Sequence, residues 1–415
     1  MRYFFILGSN PSLSAAEILA SAHHDPFAVV EIHKQAMVFE GREDVDTREF
    51  ISRLGGTVKI GKLQEGEFAI DEKTVIRLMS EVLMGRSSEG KVNFGFSVYA
   101  LEGDKPSRKA AAVAGKLKRA GMEVKRILKE AGIASRWVRP KTGSAITSVA
   151  VDKNGLTKDG IEFIILVKGD RMLFGITDAV QLFEEYSEVD YGRPSRDTLQ
   201  GMLPPKLARM MLNIANIQPG EKVWDPFCGS GTVVTEALRL GVMNVSGSDV
   251  NPKAVNGTKE NVAWLKERKL SPQAARVNIF QADARETPAE IGPGSLDAIV
   301  TEPYLGPPRT GREPKKELEK RIRELTKLYR DALVAMKPSL KPNGAIVMAL
   351  PLYIVGLERL GIDVIDLTDT GFRTDHIIPP MLAKRMGIQE TKNRGLPYGR
   401  NDQKVWREIV RFRVA

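Results

Sequence analysis

The sequence predicts an α/β fold: a parallel sheet with helices on both faces over the second half of the chain, preceded by a smaller α+β portion. Beyond residue 200 the apolar runs KVWD, NVSGSD, ARVNIFQAD, LDAIVTE and GAIVMALP recur, with helical stretches between the first four. That alternation belongs to a parallel sheet with helical crossovers. Earlier in the chain, strands and helices come in mixed order around a basic block. Between the two halves, residues 177–200 lose periodicity and carry the Gly-Arg-Pro punctuation of a linker. At 415 residues the chain is too long for one compact core. With 42% hydrophobic and 27% charged residues it has the make-up of an ordered globular protein.

Taken in order, RYFFILG (2–8) reads as a strand, SLSAAEILASA (12–22) as a helix opened by a Ser cap, and FAVVEIHKQAMVFEG (27–41) as two strands. Gly8-Ser9-Asn10-Pro11 interrupts the first apolar run too early for a signal peptide. TREFISRLGG (47–56) and DEKTVIRLMSEVLMG (71–85) read as helices with glycine stops. KVNFGFSVYA (91–100) is a strand, and KPSRKAAAVAGKLKRAG and MEVKRILKEAG (105–132) are two helices each ended by Gly. Strands follow at SAITSVAVD (144–152), IEFIILVKG (161–169) and RMLFGITD (171–178). After the linker come the helix PPKLARMMLNIAN (204–216) and the strand–helix series. A basic loop running into a charged helix (309–336) and an antiparallel hairpin over LPYGRNDQKVWREIVRFRV (396–414) complete the order.

Composition narrows the chemistry. The single Cys228 excludes an internal disulfide and a cysteine zinc site, which suits a reducing cytoplasm. His23, His24, His33 and His376 show no metal-ligand spacing, so no metal is expected. Apolar runs such as IEFIILV are too short to span a bilayer, and no membrane partner is expected. The formal charge is +10, but it is unevenly spread: residues 101–150 hold 12 Lys and Arg against 4 Asp and Glu, between acidic flanks. Such a block suits a polyanion-binding face.

The most specific signal is VWDPFCGSGTVVTEAL (223–238), in which an apolar strand ends on Asp225, a glycine loop follows and a helix opens near Thr232. Gly229 and Gly231 allow a sharp turn and close approach of a ligand. The loop lacks the Gly-Lys-Ser/Thr end of a phosphate loop, and GSGTVV supplies only half of a dinucleotide fingerprint. It fits S-adenosylmethionine instead, whose ammonium suits Asp225 and whose carboxylate suits the helix start. Three more strands end on acids: Asp249 for ribose hydroxyls, Asp283 for an adenine amino group, and Glu302.

DPFCGSGT, GSDVN and IVTEPYLG resemble the amino-methylating class I S-adenosylmethionine-dependent methyltransferases. The helix LPPKLARMMLNIA and the N-terminal layout resemble the THUMP-containing tRNA guanosine N2-methyltransferases, in particular the guanosine-10 branch. The resemblance implies a Rossmann-like methyltransferase domain with a mostly parallel seven-stranded sheet over 198–415. Before it would come a ferredoxin-like portion over 1–60, a THUMP RNA-binding domain over 61–177 and a linker over 178–197. It implies cofactor contacts from Asp225, Phe227, Gly229, Gly231, Asp249, Asp283 and Ala284. It also implies tRNA phosphate contacts from Lys116, Lys118, Arg119, Arg136, Arg139 and Lys141, with Arg309 and Arg312 near the site.

In that family Asp-Pro-Pro-Tyr offers a carboxylate and a proline carbonyl to the substrate amino group, and the tyrosine stacks on the base. Here the loop reads Glu302-Pro303-Tyr304-Leu305-Gly306, with one proline missing and the ring one place earlier. The expected function is methylation of guanosine N2 in tRNA, at position 10, by direct in-line transfer with Glu302, Pro303 and Tyr304 as catalytic residues. Two alternatives stay open: amino-methylation of adenine or cytosine in DNA or another RNA, and a tRNA-binding protein with a degenerate site. A cytoplasmic monomer is expected, with room for an activating protein subunit.

Overall fold

The computed structural model describes residues 1–22, 27–85, 90–103, 105–196, 202–400 and 402–415; His23, His24 and the expected junction at 197/198 lie outside them. The described residues form two compact units. One comprises Met1–Ala15, Ala22–Phe183 and Arg385–Gly387, the other Ala16–Ser21, Glu184–Lys384 and Ile388–Ala415.

The first unit is built on a nine-stranded sheet of β1 (Arg2–Leu7), β2 (Ala28–Ile32), β3 (Ala36–Glu40), β4 (Thr57–Leu63), β5 (Phe68–Ala69), β6 (Val92–Ala100), β7 (Ser135–Val138), β8 (Ile161–Lys168) and β9 (Arg171–Val180). The order is β2-β3-β1-β4-β9-β8-β6-β7, with β5 on β9. Among the described strands of this sheet the parallel pairings are those of β6 with β7 and with β8. The expected division at 60/61 falls inside β4, which pairs β1 on one side and β9 on the other. Helices α1 (Pro11–Ser21), α2 (Thr47–Ser52), α3 (Glu72–Met84), α4 (Pro106–Lys116), α5 (Ala120–Glu130) and α6 (Ser148–Lys153) come from the same stretch. Val75 and Met79 on α3, like Val124 and Leu128 on α5, lie one turn apart, and they are buried with Val113 of α4 against Phe94 and Phe163 of the sheet.

Three expectations are corrected here. SAITSVAVD is not a strand: the Thr147 hydroxyl accepts from the Ala150 N–H at 3.2 Å and starts α6, so a side-chain cap overrides β-branched propensity. Gly121 does not end a helix but lies within α5, where a Cβ would come within 2.1 Å of the Trp137 indole. Residues 177–200 are not all linker, since β9 runs to Val180 and α7 (Phe183–Tyr191) follows.

The second unit holds a sheet of β10 (Lys222–Asp225), β11 (Asn244–Asp249), β12 (Arg276–Gln281), β13 (Leu296–Thr301), β14 (Leu340–Val355), β15 (Glu358–Gly361), β16 (Phe372–Asp375), β17 (Leu396–Tyr398) and β18 (Val405–Val414). Seven strands run β12-β11-β10-β13-β14-β18-β16, with β15 on β14 and β17 on β18. The first five are parallel, and β18 lies antiparallel between β14 and β16, so the sheet is mixed. The helices are α8 (Pro205–Ile214), α9 (Thr232–Arg239), α10 (Pro252–Glu267), α11 (Lys315–Met336) and α12 (Pro380–Met386). Trp224, Ile299, Ile346 and Met348 of the sheet are buried with Tyr329 and Leu333 of α11. Since β11 and β13 flank β10 on opposite sides, the order reverses at β10, and a crevice opens beyond the carboxyl ends of the strands. Among the described residues no helix is long and apolar enough to cross a membrane.

Candidate active site

A cleft of about 780 Å³ lies at that crevice, within the usual range for small-ligand sites. The four acidic strand ends meet on its wall: Asp225 closes β10, Asp249 closes β11, Asp283 follows β12 and Glu302 follows β13.

Asp225 is buried, and its Oδ1 accepts from the Thr301 hydroxyl at 2.6 Å and the Phe227 N–H at 3.1 Å. Burial, with the neighbouring Asp249 and Glu302 carboxylates, pushes its pKa up to about 7 against those two hydrogen bonds. Among the described residues it has no basic ion-pair partner.

The loop after Asp225 is locked in place. Gly229 and Gly231 have φ of 52° and 80°, and a Cβ on Gly231 would sit 2.7 Å from Thr258 Cγ2. Asp249 accepts from the Gly229 N–H at 3.0 Å and the Asn251 N–H at 2.9 Å. From α10, Thr258 donates to the Gly229 carbonyl at 2.8 Å and Asn261 to the Ser230 carbonyl at 2.7 Å. No side chain caps α9, so its first N–H groups open beside the cleft-lining Gly229 and Thr232. Phe227 and Ala284 also line the cleft. Asp283 is held by Arg285, which donates to it from Nε at 3.0 Å and holds its carboxyl below the usual aspartate range.

Glu302 has a partner that sequence reasoning missed. Arg407 of β18 pairs with its carboxylate, Nε on Oε1 and Nη2 on Oε2 at 3.3 Å. Pro303 is buried on the cleft wall, and Tyr304, which also lines the cleft, is 46% exposed. Arg309 does not offer its guanidinium to solvent as expected. It donates to the carbonyls of Ile354 at 3.0 Å and Lys404 at 2.9 Å, lies over the Tyr353 ring and pairs with Glu313. Arg312 is exposed. Arg193 was missed too: it is buried and donates to the Thr232 hydroxyl at 2.8 Å, and the only cue in the sequence was the Gly-Arg-Pro turn.

In the first unit, Lys116, Lys118, Arg119, Arg136, Arg139 and Lys141 are all exposed. Trp137 packs on Gly121, two residues past Arg119, and lies under the Arg139 guanidinium at 5.4 Å. The α4–α5 turn and Arg139 thus meet around Trp137 of the edge strand β7.

Residues 193–358 match the family model for the methyltransferase domain of UPF0020, described as RMKL-like. The tRNA (guanine(10)-N2)-dimethyltransferase of Methanocaldococcus jannaschii is 33% identical over 221 residues, 53% of this chain and 57% of that protein. That of Methanothermobacter thermautotrophicus is 34% identical over 160 residues, 39% of this chain and 41% of that protein. A tRNA (guanine(6)-N2)-methyltransferase of Thermus thermophilus is 28% identical over 195 residues, 46% of this chain and 50% of that protein. The chain thus spans about half the length of these curated relatives. TrmN from Thermus thermophilus shares the fold over the whole of both chains, with a TM-score of 0.53 at 16% identity. Residues 193–358 are accordingly similar to an RMKL-like methyltransferase domain, in a chain similar to tRNA guanine-N2-methyltransferases.

Proposed function

We propose that this chain is an S-adenosylmethionine-dependent tRNA (guanine-N2-)-methyltransferase acting at guanosine 10, by direct in-line transfer to the exocyclic amino group. The observation that carries the reading is the meeting of four acidic strand ends, a positive-φ glycine loop and the open start of α9 on one cleft. The residues fit the cofactor: a buried carboxylate with no cation beside it among the described residues, at Asp225, suits an ammonium group. The N–H groups of α9 suit its carboxylate, Asp249 the ribose hydroxyls, and Asp283 with Ala284 the adenine. When bound, S-adenosylmethionine supplies an electrophilic methyl group.

The substrate side belongs to the loop after β13. The lone pair of an exocyclic amino group is delocalised into the ring, so the site must localise and aim it. Glu302 and the Pro303 carbonyl accept the two N–H groups, while Tyr304 stacks on the base. Stacking contributes roughly 1–3 kcal/mol toward the few needed to hold a nucleotide out of its helix. Arg407 fixes the orientation of the Glu302 carboxylate. In the first unit, the residues before β4 supply a ferredoxin-like portion and those after it a THUMP domain, whose exposed basic side chains contact tRNA phosphates. The protein works as a cytoplasmic monomer.

The test is methyl transfer to a tRNA transcript, with nucleoside mass spectrometry to locate the product. Glu302→Gln keeps cofactor affinity and abolishes transfer; unimpaired turnover overturns the assignment. Duplex DNA does not compete with tRNA on this reading.

A further inference from the structure

The loop that closes β13 is held by two hydroxyls from outside it. Tyr329, buried on α11, donates to the Tyr304 carbonyl at 2.6 Å, and Tyr353, buried on β14, donates to the Leu305 carbonyl at 2.8 Å. Gly306 follows at φ 91°, and its missing Cβ makes room for the Tyr353 hydroxyl, which would lie 2.4 Å from that atom. Two successive carbonyls are thus drawn toward α11 and β14. No donor among the described residues reaches the carbonyl before them, that of Pro303 on the cleft wall.

Ending a strand requires none of this, because Pro303 already lacks the N–H that would continue the ladder. The clamps act on conformation. The pyrrolidine ring fixes φ of Pro303, and the tyrosines fix the next two peptide planes, so the Pro303 carbonyl keeps little freedom to turn. A proline at position 304 would stiffen the same bond; here two hydroxyls on different elements supply that stiffness.

We infer that Tyr329 and Tyr353 are positioning residues that hold the Pro303 carbonyl toward the substrate's amino group. The inference rests on the reading of Glu302 and Pro303 as the amino-group acceptors. Each tyrosine acts through the backbone and touches no reacting atom.

The experiment compares wild-type protein, Tyr329→Phe, Tyr353→Phe and the double variant in methyl transfer to tRNA, with S-adenosylhomocysteine affinity and melting temperature measured alongside. Phe keeps the buried ring and removes only the hydroxyl. Each single variant should lose roughly tenfold in kcat, the loss of one hydrogen bond in the transition state. The double variant should lose more, with KM for tRNA and cofactor affinity unchanged. A merely structural role would lower the melting temperature and leave kcat intact, and that result overturns the inference. Should the double variant fail to fold, the single variants carry the test. Glu302→Gln separates the two failures. If it retains full turnover, the functional reading falls; if it is dead while both Tyr→Phe variants keep wild-type kcat, only the clamp falls.

Discussion

Asp225 holds its proton at a pH where an ordinary aspartate has lost it, because burial penalises its charged form and Asp249 and Glu302 add like charge. In the folded chain its pKa is about 7, against roughly 3.9 when unfolded. Between those values the folded state binds a proton that the unfolded state does not, so stability falls as pH rises through that window. A ligand ammonium beside the carboxylate reverses the penalty. The rise in melting temperature given by S-adenosylhomocysteine should therefore grow between about pH 6 and about pH 8. Asp225→Asn should flatten that dependence; a pH-independent rise in the wild-type protein removes Asp225 from ammonium binding. Asp225 was legible in the sequence because its strand, loop and helix are contiguous. The Glu302–Arg407 pair was not, since its members are 105 residues apart and meet only through the place of β18 in the sheet.

Among the elements, the β10–α9 turn shows how one conformation serves several contacts. Gly231 sits in the left-handed region against Thr258, the residue that also holds the Gly229 carbonyl. Gly231→Ala should cost about 1–3 kcal/mol of stability from the backbone alone, and weaken cofactor binding by displacing α10. Chemical denaturation and calorimetry check both; an unchanged midpoint would mean that the turn relaxes freely. Strand ends and helix starts of the second unit were readable because each depends on a short local pattern. The misread elements depended on a local cap that outweighed propensity or on contacts far along the chain. Thr147 turned a β-branched run into a helix, and Trp137 required a glycine inside α5. The four residues of β7 gain their strand character from β6 alongside them.

At the scale of the molecule, two local charge patterns stand out. Exposed basic side chains of the first unit lie on α4, α5 and β7, and four carboxylates line the cleft of the second. Reversing Arg136 and Arg139 to Glu should weaken tRNA binding and lower the slope of log affinity against log salt by about 2, with cofactor affinity untouched. An unchanged slope, measured by filter binding, would place the RNA elsewhere. The basic block at 101–150 was visible in the composition before any fold was known. The continuity of one sheet across β4 was not visible, because strand pairing is a property of residues far apart in sequence.

The position of β18 also bears on how the protein is made. On the ribosome, β10 to β14 emerge well before β18, and β14 then presents a long apolar edge with no partner on that side. Such an edge invites mispairing. The nascent chain must wait through the synthesis of β15, β16, α12 and β17 before β18 covers that edge. The strand that covers this edge is also the one that brings Arg407 to Glu302 of the cleft wall.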